Sequence, residues 1–122
     1  MKNQAYRMAM LFDFYGDLLT DRQKEFFDLY YNEDLSLAEI GENYGITRQG
    51  VRDVIVRGEA YMETVEEKTG LIKRFHTMQT QLEEVSSYAD ALLKRNAEKY
   101  DDPEFETLGN KLKDLAETMK QE

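Results

Sequence analysis

The stretch ITRQGVRDVIVR, residues 46–57, carries Arg48, Gln49, Arg52 and Arg57, with Thr47 near its start and Asp53 among them. On a helix these spacings bring the polar residues to one side. Val51, Val54 and Ile55 fall on the other. Arginine pairs in bidentate fashion with guanine, and glutamine with adenine. Three arginines against one aspartate make the stretch locally +2 within a chain of 122 residues whose net charge is −9. Those residue types on one face suit contact with a nucleic acid. The plainer alternative is an ordinary solvated helix face.

No other group of side chains suggests chemistry. His76 is the only histidine and cysteine is absent, so disulfides and thiolate metal sites are excluded and a reducing compartment is the default. A surface position suits His76 better than a metal or catalytic one. Glu66–Glu67 and Glu83–Glu84 are sequence neighbours, which do not face each other on a helix, so neither is a catalytic carboxylate pair. Lys73 and Arg74 read as a rim, and the tyrosines as core edges rather than a base-stacking platform. No phosphate loop or nucleophile elbow is present. The expectation is a protein that is not an enzyme and has no cofactor and no metal. No apolar run approaches the ~20 residues of a membrane span. The opening MKNQAYRMAMLFDFYG is interrupted by Asp13 and lacks a small-residue cleavage site, so neither membrane insertion nor a signal peptide is expected. A cytoplasmic location follows.

The elements that position the basic face are helical. Apolar residues recur three and four apart almost everywhere and nothing alternates with period two, which predicts an all-α fold. A first helix is expected over 4–15 with Met8, Leu11, Phe12 and Tyr15 buried, ending at Gly16. Thr20 with Gln23, and Ser36 with Glu39, each form a capping box that opens a helix. Phe26, Phe27, Leu29, Tyr30 and Tyr31 supply the apolar mass of the second helix. The third ends near Tyr44 and is followed by Gly45, where a left-handed backbone is cheap. Thr47 is the N-cap of a fourth helix that continues to about Lys68, with Gly70 beyond it.

Within 36–60 these features make a helix-turn-helix. Gly41 is the small residue where the two helices approach, Gly45 forms the turn, and Ile46, Val51 and Val54 pin the second helix against Ile40 and Tyr44. The expected organisation is a helical domain over 1–70 and a helical hairpin arm over 71–122. In the arm, Leu71, Phe75, Met78, Leu82, Val85, Ala89 and Leu92 form a heptad seam. A helix continuous to Tyr100 would be about 45 Å long at ~1.5 Å per residue. Asp102 and Pro103 start a last helix with Phe105, Leu108, Leu112, Leu115 and Met119 at heptad spacing. It should fold back antiparallel and, at roughly half the length of the long helix, leave much of the seam open. A homodimer through Leu71, Phe75, Met78, Leu82 and Val85 is the expectation, against a monomer that closes the seam on its own core.

The block LTDRQKEFFDLYYNEDLSLAEIGENYGITRQGVRDVIVRGE resembles the fourth region of bacterial sigma factors, a helix, a loop and a helix-turn-helix. LFDFYGDLLTDRQ, LSLAEIGENYGITRQGVRDVI and YMETVEEKTGL together resemble the YlxM family of small bacterial helix-turn-helix proteins, over roughly residues 8–75. The resemblance implies an accessory or regulatory role in the signal recognition particle pathway, through DNA or RNA or through contact with the particle's GTPase. By analogy with sigma factors, the helix after Thr47 would enter the major groove with Arg48, Gln49 and Arg52. The sequence departs from the sigma pattern at Gly50 and Asp53. Glycine weakens a helix by up to ~1 kcal/mol relative to alanine. Aspartate repels phosphate but can accept from cytosine.

Overall fold

The computed structural model describes residues 4–121, and among these there is no strand. In order, the elements are α1 (Ala5–Tyr15), a 3₁₀ turn (Gly16–Leu18), α2 (Asp21–Tyr31), α3 (Leu37–Tyr44), α4 (Arg48–Thr69), α5 (Leu71–Arg95), a π-turn (Asn96–Tyr100) and α6 (Pro103–Gln121). The chain divides into two compact units, Met1–Ile72 and Lys73–Glu122.

In the first unit the helix starts are set locally, as the sequence predicts. Thr20 Oγ1 accepts the Gln23 N–H at 3.1 Å while Gln23 Oε1 accepts the Thr20 N–H at 3.0 Å. Ser36 and Glu39 repeat the exchange at 3.0 and 3.1 Å. Each box satisfies two N–H groups that helix geometry leaves without partners. The apolar faces then close into two clusters. Met8, Leu11 and Tyr15 of α1 meet Phe27, Met62 and Ile72. Phe26, Tyr30, Leu37, Ile40, Val51 and Ile55 form the other. α4 enters both, so it is the beam on which the unit is assembled. Phe12, expected in the buried stripe, is only half-buried and stacks on Phe27 with ring centroids 4.7 Å apart.

The join between α4 and α5 rests on a carboxylate to which the sequence reading assigned no role. Gly70 turns the chain at φ +63°. The buried Glu66 accepts from the Tyr15 hydroxyl at 2.6 Å and from the Ile72 N–H at 2.9 Å. Thr69 Oγ1 accepts the Leu71 N–H at 3.3 Å. A carboxylate at a helix start is favoured by the exposed N–H groups and the helix dipole. Burial, then the bond to Glu66, push the Tyr15 hydroxyl above its ordinary pKa.

The second unit is an antiparallel hairpin. Leu93 lies against Gly109, Asp90 pairs with Lys113 at 2.8 Å, Ser86 donates to Glu117 at 2.8 Å, and Gln79 donates to the Lys120 carbonyl at 2.9 Å. Three expectations need correction. α5 does not run as one α-helix to Tyr100: it stops at Arg95 and closes in a π-turn, with Asp101 at φ +46°. The buried Asn96 holds that turn by donating to the Asp102 carbonyl and accepting its N–H, both at 2.9 Å. Asp102 Oδ1 also accepts from the Glu104 N–H at 2.8 Å, the capping role expected of it. Second, α6 has 19 residues against 25 in α5, so it covers most of its partner rather than half. Third, the stripe that α5 turns to α6 runs through Gln79, Leu82, Ser86, Ala89, Leu93 and Asn96. It shares only Leu82 and Ala89 with the predicted seam. Leu71, Phe75, Met78, Val85 and Leu92 remain exposed, while Leu82 is buried. The physical reason is size: Ser86, Ala89, Gly109 and Ala116 let the helix backbones approach closely, and a Cβ on Gly109 would stand 2.7 Å from Leu93 Cδ2.

Candidate nucleic-acid interface

The turn between α3 and α4 is built around one carbonyl. Gly45 sits at φ +69°, and both its N–H and that of Ile46, the latter at 3.0 Å, point to the Gly41 oxygen. A Cβ on Gly41 would lie 2.7 Å from the Ile46 carbonyl oxygen. The small residue expected there is therefore required by the turn that closes over it. Ile40 is fully buried, Ile46 is half-buried, and Tyr44 is half-buried with its ring edge-on to Phe26 at 4.9 Å and its hydroxyl donating to Glu25.

α4 begins as predicted. Thr47 Oγ1 accepts the Gly50 N–H at 3.0 Å. A Cβ on Gly50 would come within 3.2 Å of that same Oγ1, which gives the glycine a local reason to be there: it leaves room for the cap. Thr47 is exposed, and the first turn of α4 carries no acidic residue.

Val51 and Ile55 are fully buried, with Gly58 and Met62 following on the same face, while Arg48, Gln49, Arg52, Asp53 and Arg57 are all exposed. The basic residues predicted from the sequence are thus all open to solvent, spread over the outer half of the helix from Arg48 at one edge to Arg57 about 180° round at the other. From Arg48 to Arg57 the helix rises about 14 Å at ~1.5 Å per residue, close to the ~12 Å width of a major groove. Among the described residues none of the three arginines is in an ion pair. Elsewhere Arg7 grips Glu63 through two bonds of 2.9 and 3.1 Å, and Lys24 and Lys113 pair with Asp17 and Asp90. Gln49 is different: its Nε2 donates to Asp53 Oδ1 at 3.1 Å. The signal for this pair in the sequence is their separation of four on a helix.

The remaining candidates belong to a different helix. Lys73, Arg74 and His76 are exposed on α5, and His76 meets the Phe75 ring edge-on at 5.9 Å. Among the described residues no group of side chains is arranged to hold a metal ion, and no helix is long and apolar enough to cross a membrane.

The model of the UPF0122 family, helix-turn-helix proteins described as YlxM / p13 like, matches residues 2–102. A UPF0122 protein of Thermoanaerobacter sp. (strain X514) is 43% identical over 98 residues, covering 80% of each chain. One from Desulforamulus reducens is 46% identical over 87 residues, 71% of this chain and 74% of that protein. One from Bacillus velezensis is 50% identical over 84 residues, 66% of this chain and 76% of that protein.

Proposed function

Since the chain belongs to the UPF0122 family of YlxM-like helix-turn-helix proteins, we propose that it is a non-enzymatic, cytoplasmic regulator that binds nucleic acid through the outer face of α4. The observation that carries this reading is the set of exposed arginines at 48, 52 and 57, which form no ion pair among the described residues, in a chain of net charge −9. Arg48 and Arg52 reach base edges or phosphates, Arg57 and the Thr47 hydroxyl hold the backbone, and Gln49 is the adenine reader. Gln49 must leave Asp53 to do so, which makes its contact conditional on the base it meets. The overall acidity withholds long-range attraction, so binding depends on close contacts.

The test is a salt titration with fluorescently labelled duplexes. Each phosphate neutralised contributes about −0.9 to the slope of log K against log salt. Three contacts give a slope near −2.7, or roughly a forty-fold loss between 50 and 200 mM salt. Arg57→Ala should flatten the slope by about 0.9 without altering sequence preference, and Arg52→Ala should relax that preference. Absence of duplex binding at low salt would remove the DNA reading.

The signal recognition particle pathway is the setting we propose, from the family resemblance. A second reading has the chain act there without binding DNA, by contacting the particle's RNA or GTPase through the basic helix or the hairpin; the net charge of −9 favours the GTPase contact, since RNA carries the same phosphate charge as DNA. Retention of the particle's RNA or GTPase at salt concentrations where duplex is not bound would select that reading.

A further inference from the structure

The hairpin of α5 and α6 has two unlike faces. One is polar and is crossed by the Asp90–Lys113 pair. The other is apolar: Met78, Val85 and Leu92 on α5 are 40–58% exposed, and Leu108, Leu112 and Leu115 on α6 are 45–61% exposed. Leu92, Leu108 and Leu112 line one groove of about 320 Å³, which places the two rows on the same side. Each row keeps heptad spacing, and neither is used to hold the hairpin together.

We infer that this face is the contact surface for a second copy of the chain, forming a four-helix bundle from two hairpins. The size of the face argues for it. With Phe105 and Met119 continuing the α6 row, the open side chains present on the order of 800 Å² at roughly 100 Å² each. The largest apolar patch of a typical monomer is ~300–600 Å², and a standard interface takes ~800 Å² from each partner. The shape argues for a second hairpin in particular. A single partner helix fills one groove, whereas two parallel ridges of large side chains are matched by another pair of ridges. The contact differs from the sequence expectation of Leu71, Phe75, Met78, Leu82 and Val85. It is shared between both helices, and Leu82 is spent inside the hairpin.

Sedimentation velocity on the full chain tests this between 1 and 100 µM, a range chosen to bracket a micromolar dimer. The expected result is reversible dimerisation in that range. Leu112→Glu and Leu115→Glu place a charge in the contact and should weaken the dimer at least about a hundredfold with helical circular dichroism unchanged. Asn110→Glu, on the opposite face, should leave it intact. A measurement on the unaltered protein stands beside the variants: peroxide oxidation of Met78 and Met119 should slow severalfold as concentration rises through the dimerisation range. A monomer at 100 µM, including one that captures another protein on this face, overturns the proposal. So does a dimer that survives both leucine substitutions or is broken by Asn110→Glu, or methionine oxidation that does not change with concentration.

Discussion

Replacing Gly41 by alanine, with Gly58→Ala as its counterpart, tests the tightness of the turn. Both glycines are buried in helices that pack on the same core. On helix propensity alone each substitution gains up to ~1 kcal/mol. At Gly58 the new Cβ finds ordinary space, 3.6 Å from Leu19 Cδ2, so that gain should be realised. At Gly41 it would stand 2.7 Å from the Ile46 oxygen. The neighbour is backbone, fixed by the Ile46 N–H bond to Gly41 at 3.0 Å, and cannot swing away. Overpacking of this kind costs about 3 kcal/mol when the surroundings cannot relax, which leaves a net loss near 2 kcal/mol. A domain of this size shifts by about 4–8 °C per kcal/mol. Thermal melts followed at 222 nm should therefore show Gly41→Ala lowered by roughly 8–16 °C and Gly58→Ala raised by roughly 4–8 °C. Duplex binding by Gly41→Ala, measured well below its Tm, should also fall, because the start of α4 must shift. Equal or higher stability for Gly41→Ala than for the parent would refute the reasoning.

Thr47→Ala removes the acceptor for the Gly50 N–H and should cost about 1 kcal/mol, seen as a lower denaturation midpoint with an unchanged m-value. Asp53→Asn removes the one negative charge among the exposed arginines. At ~8 Å from a phosphate in water it should raise non-specific duplex affinity roughly twofold at low salt, an effect that fades at high salt. The hydroxyls of Tyr15 and Tyr31 are held above the ordinary 10.0, chiefly by burial and then by Glu66 and Glu59. A raised folded-state pKa means the unfolded chain loses its proton first, so this stabilisation is complete below pH 10 and declines as pH rises above it. Denaturant midpoints measured from pH 8 to 11.5 should fall more steeply in the parent than in Tyr31→Phe.

What could be read from the sequence was local. Thr20, Ser36 and Thr47 were identifiable because a cap involves residues three apart, and the exposed side of α4 because its period is that of a single helix. The hairpin seam differs from the expected one for a physical reason. Large apolar residues ordinarily mark an intramolecular seam, but here Ser86, Ala89, Gly109 and Ala116 make that seam and the large residues face outward. Glu66 was also out of reach. Its burial depends on Tyr15, 51 positions away, and on a helix start that exists only once Gly70 has turned the chain. The bond between Gln49 and Asp53 was within reach, since it needs only a helix and a spacing of four.

α4 is a 22-residue helix, about 33 Å from end to end at ~1.5 Å per residue. The arginines occupy its first part, and Glu66, which caps the start of α5, belongs to its last turn. Gly58, the residue most able to soften it, is packed against Leu19 and Gln23. The helix is therefore one continuous rod from Arg48 to Glu66, which carries both the exposed arginines and the carboxylate that accepts the Ile72 N–H. The outward face of α4 and the hold on the first turn of α5 are in this way parts of a single element.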